Sequence, residues 1–424
     1  MNQGKKETIL LLYSNYGDGH KHAAEAIREA FSLQYPEVEV ILIDFVKYTH
    51  PLLHPISRRI FLQALKKFPF LYRYAYQKTR FSTSSNLLRF FTLLGFRRML
   101  KLLKTTNPSA VVSTHPFAAA GMSRLKRYRF TQVPTVTVIT DHTNHSYWIH
   151  PLTDAYLVGS SFAKKNLLEV GVKEEIITVT GIPIQPRFSN SYNPAEIRKK
   201  YGLSPDLPTI LIMGGGWGLI DKGEEVLRML DRFPRPLQII FVCGHNRKLW
   251  RQLSRKSGRY RQWVMITEYI DYVDQLMAAS DVIVTKPGGL TTSEAIALEV
   301  PMILYRPLPG QEEENAQFLL DTGVAVMATT TSELVRQVNR LLDKPDLLQE
   351  MKEKERQLSL KEAAFLATEE ILSTMRVKKT PSLPHPTPPV SVSPTLPDRH
   401  SQGEGDGELE EDMENVLTDS LYNS

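Results

Sequence analysis

Short apolar runs alternate with longer amphipathic stretches along most of the chain, and this order predicts strands that each lead into a helix. Because consecutive parallel strands need helical crossovers, the alternation indicates an α/β fold with parallel sheets covered by helices on both faces. The strands predicted in this way span residues 7–14, 38–45, 110–114, 135–140, 156–159, 177–181, 209–213, 237–242, 264–267, 282–285, 302–305 and 325–328.

A segment interrupted by prolines, 181–188, lies between the two sets of strands and is the predicted linker. The chain is long enough for two sizeable cores. We therefore predict two Rossmann-like domains that face each other across a cleft, over 1–182 and 183–375, with the last helix packing back on the first domain. The remainder, 376–424, is proline-rich and then acidic, and it is predicted to be disordered because it has too few apolar residues for a core.

Positive charge is concentrated in the first half of the chain. Between Phe45 and Thr140 there are seventeen Lys and Arg residues, interleaved with aromatic residues, and no Asp or Glu. This composition suits an anionic membrane surface, where each cation contributes roughly 1 kcal/mol. A solvated basic face over an aromatic core is the alternative, and nucleic acid is disfavoured because no binding module is recognisable. The cations assigned to membrane contact are Arg58, Arg59, Lys66, Lys67, Arg97 and Arg98.

Cysteine content and hydropathy restrict the compartment. Cys243 is the only cysteine, so an intramolecular disulfide and a thiolate metal cluster are both excluded, which fits a reducing cytosol. The chain shows no signal-peptide pattern and no stretch that approaches a transmembrane helix. We expect a peripheral protein at the cytoplasmic face of the cell membrane.

A glycine turn in the second half has the features of an anion site. Gly288 and Gly289 follow an apolar strand and precede a helical pattern, so backbone N–H groups and the helix dipole converge there. Glu294, one helical turn further on, can accept hydrogen bonds from a ribose diol. Such turns often bind nothing, so a nucleotide pocket needs a second element that faces this one.

Two more polar turns follow strands in the same half. Gly215 and Gly216 belong to a glycine cluster after 209–213, which forms either a phosphate-binding loop or a tight turn. Gln311 and Glu312 begin a helical pattern after 302–305 and are suited to sugar hydroxyls. This half is therefore predicted to bind a nucleotide sugar.

The facing element is predicted near the N-terminus, where Gly17 and Gly19 precede His20 at the start of a helix. The spacing is not a dinucleotide fingerprint, because the third glycine is missing. A helix N-terminus disfavours imidazolium, so His20 is predicted to be a neutral base that can take a proton from an alcohol. The alternative is that His20 only caps the helix.

Four motifs in order carry a family resemblance: Gly-Asp-Gly-His at 17–20, Thr140-Asp141 with His145 and Trp148, Lys-Pro-Gly-Gly-Leu-Thr-x-x-Glu at 286–294, and Gly-Gln-Glu-x-x-Asn at 310–315. From about residue 7 to about residue 375 the chain resembles the monogalactosyldiacylglycerol synthase and processive diacylglycerol glucosyltransferase group of glycosyltransferase family 28. The resemblance implies the two-domain GT-B fold, a UDP-sugar donor, inversion at the anomeric carbon, no essential metal and peripheral membrane binding.

Carried over to this chain, the resemblance implies a role for each motif residue. His20 becomes the base or its close partner. Asp141 orients His20, deprotonates the acceptor or caps a turn, and Trp148 lines the acceptor entrance or belongs to the core; these alternatives stay open. The donor-binding set is Gly17, Gly19, Gly215 and Gly216 around the phosphates, Ile270 at uracil, Glu294 at the ribose, Gly288, Gly289 and Thr291 at the diphosphate, and Gln311, Glu312 and Asn315 at the hexose.

The predicted function is inverting transfer of a hexose, glucose in preference to galactose, from a UDP-sugar to diacylglycerol or a glycosyl-diacylglycerol at the membrane surface. No cofactor is expected, because no Asp-x-Asp motif is placed to bridge a diphosphate through a metal. Two alternatives remain: transfer to a polyprenyl-linked lipid, and a non-catalytic, membrane-associated sensor of nucleotide sugars. A UDP-sugar epimerase is disfavoured, because a soluble substrate gives no reason for the basic aromatic segment.

Overall fold

The computed structural model describes residues 7–15, 17–51, 74, 78, 95–143, 145–256 and 258–379. Within these residues the first half of the chain forms one six-stranded sheet of order β2-β1-β3-β4-β5-β6, and every neighbouring pair is parallel. Its strands are β1 (Thr8–Tyr13), β2 (Glu39–Asp44), β3 (Ala110–Ser113), β4 (Thr135–Val138), β5 (Ala155–Val158) and β6 (Ile177–Val179).

The second half forms another parallel six-stranded sheet, of order β12-β11-β10-β7-β8-β9. Its strands are β7 (Thr209–Met213), β8 (Gln238–Val242), β9 (Trp263–Thr267), β10 (Val282–Thr285), β11 (Met302–Tyr305) and β12 (Ala325–Ala328). The strand order changes direction between β1 and β3 in one sheet and between β7 and β10 in the other. Open α/β sheets bind ligands beyond the carboxyl ends of the strands at such switch points.

Helices cover the sheets, and apolar cores that include residues of the sheet strands exclude solvent. The predicted α/β class is therefore confirmed, and each predicted strand corresponds to a strand of the structure. The helices are α1 (Asp18–Gln34), α2 (Phe45–Thr49), α3 (Phe96–Thr106), α4 (Pro116–Arg127), α5 (Ser161–Glu169), α6 (Pro194–Lys200), α7 (Gly223–Asp231), α8 (Arg247–Ser254), α9 (Val273–Ala278), α10 (Gly289–Ala297), α11 (Gln311–Asp321), α12 (Thr331–Asp343), α13 (Pro345–Leu358) and α14 (Ala363–Lys379).

The last described helix, α14, packs on the first half of the chain. Ala367 and Ile371 are fully buried in the core that contains β1 and β3, and Thr368 Oγ1 donates to Gln34 Oε1 over 2.8 Å. The helix continues to Lys379, so the first residues of the segment predicted to be disordered, 376–424, are helical. This helix contains no proline, and the next proline in the chain is Pro381, two residues after Lys379. The rest of that segment lies outside the described residues.

The chain passes from one half to the other at Gly181 and back again near Leu360 and Ala363, and these two segments contact each other. Gly181 has φ +84°, and a Cβ there would lie 2.8 Å from the Leu360 Cβ and 2.9 Å from the Ala363 Cβ. The contact requires glycine, both for its conformation and for the space. Among the described helices, none is long and apolar enough to cross a membrane.

Candidate active site

His20 lies in the first turn of α1, directly after the strand β1 at the switch point of the first sheet. Its Nδ1 atom is 2.9 Å from Thr140 Oγ1, and its backbone carbonyl accepts from Thr114 Oγ1 over 2.8 Å. Burial lowers the pKa of His20 to about 4, against a smaller opposing effect of a hydrogen bond to the Thr114 backbone. The imidazole is therefore neutral near pH 7, as predicted, and burial is its main cause.

Two further rings enclose His20. The His115 ring lies 4.9 Å from it, edge to face, and the Trp148 ring lies 5.9 Å away. His115 is buried at the N-terminus of α4, where its Nδ1 accepts from the Phe117 N–H over 3.3 Å. Burial holds the pKa of His115 well below its ordinary value, and the neighbouring His20 adds to this effect. Trp148 is buried in the core and its ring lies beside that of His20; its role at the acceptor entrance stays a prediction.

The N-terminal ends of α1 and α10 lie against each other across the two halves. A Cβ on Gly19 would lie 4.0 Å from the Leu290 Cβ, and a Cβ on Gly289 would lie 2.2 Å from the Thr140 carbonyl oxygen. Gly17 and Gly288 have open space around the Cβ position. The predicted glycine turns therefore do face each other, and Gly289 allows the backbone that carries Thr140 to approach α10.

The glycine loop after β7 is a tight turn that also touches the first half. A Cβ on Gly216 would lie 2.1 Å from Asp18 Oδ2, and the Gly216 carbonyl accepts from the His245 N–H over 2.7 Å. Gly218, with φ +58°, leaves no space for a Cβ beside the Cys243 carbonyl, whereas Gly215, with φ +67°, has open space. A close backbone contact thus accounts for Gly218, the Asp18 carboxylate occupies the space beside Gly216, and Gly215 faces an open region.

The carboxyl of Asp141 forms its hydrogen bonds with residues of the second half. Its Oδ1 accepts from Asn315 Nδ2 over 3.3 Å, and a second hydrogen bond joins it to Gln311. Burial raises the pKa of Asp141 to about 6, the two hydrogen bonds oppose the rise, and the nearby Glu314 and Glu312 add to it. The side chain that hydrogen-bonds to the His20 ring is that of Thr140.

His142 joins the two halves and was not singled out from the sequence. Its backbone N–H donates to Asn315 Oδ1 over 3.0 Å, its Nε2 is 2.8 Å from Thr292 Oγ1, and its ring stacks on Phe318 at 4.9 Å. Burial lowers the pKa of His142 to about 4. The one sequence signal for His142 is that it directly follows Asp141, which belongs to one of the four motifs.

The carboxyl of Glu294 is buried in α10, and burial raises its pKa to about 8. The charge of Arg187 opposes this rise and that of Asp274 adds to it. Arg187 lies in the predicted linker, and the sequence interpretation missed it because nothing in a proline-punctuated segment marks one arginine. Thr291 is partly exposed in the first turn of the same helix.

The polar residues at the start of α11 are already connected to one another and to β10. Lys286 Nζ lies 3.4 Å from both carboxylate oxygens of Glu312, and Glu312 Oε2 accepts from the Leu308 N–H over 2.7 Å. Asn315 Nδ2 also donates to the Pro287 carbonyl over 3.1 Å. Glu312 and Asn315 therefore lie beside the Gly288 turn, and the role of Gln311, Glu312 and Asn315 at the hexose stays a prediction.

Ile270 lies in the loop after β9, partly buried against an apolar core that includes strands of the second sheet. Its neighbour Tyr269 stacks on His245 with ring centroids 4.4 Å apart, and His245 lies 5.5 Å from Trp217. This row of rings borders the glycine loop after β7. The backbone of Ile270 is thus presented at the end of the sheet that also carries the other predicted donor residues.

The residues assigned to membrane contact are only partly described. Arg97 and Arg98 are exposed on α3, and Arg98 Nη1 donates to the carbonyl of Thr49 over 2.9 Å. Arg58, Arg59, Lys66 and Lys67 lie outside the described residues. Among the parts of the chain that the structure describes, no group of three or more His, Cys, Asp and Glu side chains is arranged to hold a metal.

Comparison with known proteins identifies the class. The family model for monogalactosyldiacylglycerol (MGDG) synthase matches residues 20–184, and that for the glycosyltransferase family 28 C-terminal domain matches residues 209–366. Among solved structures, MurG of Acinetobacter baumannii is similar with a TM-score of 0.58 and 17% identity, covering 87% of this chain and 100% of that one. S. aureus MnaA in complex with UDP has a TM-score of 0.58 and 18% identity, covering 88% and 97%. These similarities support the GT-B fold.

Curated relatives narrow the class to a group. The processive diacylglycerol beta-glucosyltransferases of Bacillus pumilus (strain SAFR-032) and Bacillus subtilis (strain 168) are each 32% identical to this chain, covering 88% of it and 96% of their own length. The chain therefore belongs to glycosyltransferase family 28, in the group of the monogalactosyldiacylglycerol synthases and processive diacylglycerol glucosyltransferases. The predicted resemblance is confirmed, and the chain is a glycosyltransferase.

Proposed function

We propose that this enzyme transfers glucose from UDP-glucose to diacylglycerol or a glucosyl-diacylglycerol, with inversion, at the cytoplasmic face of the cell membrane. The observation that carries the proposal is the position of His20. A neutral imidazole at the switch point of the first sheet faces the Gly288–Gly289 turn at the switch point of the second. The names of the Bacillus relatives support the donor sugar and the lipid acceptor.

His20 acts as the general base in this mechanism. When Nδ1–H donates to Thr140 Oγ1, the Nε2 lone pair is left to accept the proton of the acceptor hydroxyl. The hydroxyl oxygen then attacks the anomeric carbon from the face opposite the UDP leaving group. A single displacement of this kind inverts the anomeric configuration.

The second half stabilises the leaving group and holds the donor. No side chain caps the start of α10, so the backbone N–H groups of its first turn, from Gly289 to Thr291, are available for the negative charge that develops on the diphosphate. Gly288 leaves open space beside them. The backbone of Ile270 takes uracil, and Glu294 takes the ribose hydroxyls. Gly17 and Gly19 close the pocket from the first half, and Gly215 and Gly216 border the phosphates.

The hexose is held by α11. Gln311 presents an amide there, and Lys286 fixes the Glu312 carboxylate in one orientation. The amide of Asn315 is buried and bonded to the Pro287 carbonyl and the His142 N–H, so it supports the start of this helix. Asp141 receives hydrogen bonds from both amides, and this supports a role in orienting the hexose-binding residues. Orienting α11 differs from the three roles that the sequence left open for Asp141, which were to orient His20, to deprotonate the acceptor or to cap a turn.

The membrane-facing surface belongs to the first half. The exposed arginines of α3 lie on the half that carries His20, where a lipid hydroxyl has to arrive. Aromatic and cationic side chains suit the headgroup region of an anionic bilayer. The acceptor therefore reaches the base while its acyl chains remain in the membrane.

The donor and the acceptor can be tested together. Purified protein incubated with labelled UDP-glucose and diacylglycerol vesicles should yield a labelled glycolipid, with UDP-galactose a poorer donor. Polyprenyl phosphate vesicles provide the alternative acceptor, and label found only in the polyprenyl lipid would contradict the diacylglycerol assignment. Tight UDP-glucose binding without transfer to either lipid would identify a sensor.

We expect transfer to be independent of divalent metal. The helix N-terminus supplies the positive potential at the diphosphate that a metal supplies in other sites. Incubation with EDTA followed by assay in metal-free buffer should leave the initial rate of glucose transfer unchanged. A rate that collapses on chelation and returns with Mg²⁺ would contradict this expectation.

A further inference from the structure

Arg187 lies where the linker passes between the two halves. It belongs to a short 3₁₀ helix, Pro186–Ser189, that packs against both α1 and α10, the two helices whose N-termini face the cleft. Its side chain is one-third exposed, so the guanidinium is neither in free solution nor in a core. The proposed mechanism gives this cation no role.

The guanidinium is held in one place by several partners. Its Nε donates to Gln185 Oε1 over 2.8 Å, and its Nη1 lies 3.9 Å from Asp274 Oδ1. The backbone carbonyl of Arg187 accepts from the Tyr192 hydroxyl over 2.9 Å, which also holds the main chain that carries the guanidinium. A planar fork with this many contacts has a fixed direction, unlike an exposed arginine.

One of these contacts reaches the predicted base-binding loop. Arg187 Nη1 also donates to the carbonyl oxygen of Asp271, the residue that directly follows Ile270. This charge-assisted hydrogen bond ties the loop after β9 to the linker. Arg187 therefore restricts the backbone next to Ile270.

The same guanidinium acts electrostatically on the ribose side of the site. Among the charged groups that act on the buried Glu294, Arg187 opposes the rise of its pKa and Asp274 on α9 adds to it. The Arg187 charge also acts on the His22 ring of α1 and on the Tyr269 hydroxyl. A single cation thus lies close to groups of α1, α10 and the loop after β9.

We propose that Arg187 is a positioning residue for the donor nucleotide: it fixes the loop at Ile270 that takes the base, and its 3₁₀ helix brings the cation to α10, the helix that carries Glu294 at the ribose. This inference rests on the proposed function, because it assumes that the second half binds UDP. Arg187 acts through Ile270 and Glu294 and is not assigned a contact with the substrate.

Binding of UDP alone, measured by calorimetry, tests the proposal. We expect Arg187→Met to raise the Kd for UDP about tenfold, the size of one lost charge-assisted hydrogen bond. Arg198→Met is the matched control, because Arg198 also donates to two carbonyls and pairs with Asp281 over 2.8 Å, but on α6. Its Kd for UDP should equal that of the wild type, even if its melting temperature falls.

The pH dependence separates positioning from general loss of structure. Glu294 has a pKa of about 8, so its carboxylate, the better acceptor for a ribose diol, forms as the pH rises through that value. Without Arg187 the pKa is higher still, and ionisation is displaced to higher pH. The ratio of the Kd of Arg187→Met to that of the wild type should therefore grow from about pH 6.5 to about pH 8.5.

Two more variants complete the design. Arg187→Lys keeps the charge and should show a ratio that is nearly constant with pH, although its Kd is raised by the loss of the planar fork. In a Glu294→Gln background the pH dependence of the Arg187→Met ratio should vanish, because the titrating group is absent. Coupling between the two sites would also appear as non-additive effects on the Kd.

The proposal is overturned if Arg187→Met binds UDP as the wild type does, if Arg198→Met loses as much affinity, or if the Arg187→Met ratio does not change with pH. Its failure is distinguishable from that of the proposed function. A wild-type enzyme that binds UDP but never glucosylates diacylglycerol contradicts only the function. Failure of the wild type to bind UDP would overturn both.

Discussion

His20→Ala is expected to lower kcat for glucose transfer by about 10² to 10⁴-fold, the range that a positioned general base contributes. The Kd for UDP should change little, because the ring lies beside His115 and Trp148 of the first half, where we propose that the acceptor binds. The measurement is steady-state transfer to diacylglycerol vesicles at saturating UDP-glucose, together with UDP binding by calorimetry. Transfer at the wild-type rate would eliminate His20 as the base.

Thr140→Val is the companion variant that tests how His20 is held. It removes the hydroxyl 2.9 Å from Nδ1 and keeps a similar shape, so kcat should fall by about tenfold, less than for His20→Ala. In the double variant the second substitution should have almost no further effect, because both residues act on the same proton transfer. Additive losses would indicate that Thr140 acts elsewhere.

Gly289→Ala is expected to lose about a hundredfold in kcat/KM and about 1–3 kcal/mol in the free energy of unfolding. The added Cβ would lie 2.2 Å from the Thr140 carbonyl oxygen, a backbone atom that cannot rotate away. The two halves must separate locally, and this moves Thr140 away from His20. Melting temperature and transfer rate measured on the same preparation test both parts.

Gly288→Ala is the matched control at the adjacent position. Nothing lies within 4 Å of its Cβ position, and its φ of −75° suits any residue. Its melting temperature should equal or exceed that of the wild type, because alanine restricts the unfolded chain. Equal destabilisation by both alanines would contradict the claim that the Thr140 contact is decisive.

The strands could be predicted from sequence because parallel strands buried on both faces appear as continuous apolar runs. Strand β10 is an example: Val282, Ile283 and Val284 are fully buried, and this apolar run directly precedes the glycine turn. The order of motifs then placed His20 and Glu294 on helices that follow strands of two different sheets. The local hydrophobic pattern and the family resemblance were therefore sufficient to predict the strands and the places of the motif residues.

Contacts between the halves could not be predicted in the same way. Thr140 and Asp141 are adjacent in the chain, yet one meets His20 and the other meets Asn315. The need for glycine at Gly289 arises from a carbonyl far away in sequence. Such features depend on how two independently patterned sheets approach each other, and no periodicity in either half contains that information.

The position of α14 has a consequence for the order in which the protein can be completed during synthesis. Ala367, Ile371 and Met375 fill the core of the half that the ribosome releases first. That half therefore exposes an apolar groove beside α1 until α14 has been synthesised. His20, the proposed base, lies on the helix that α14 covers, so the half that carries it is made first but completed last.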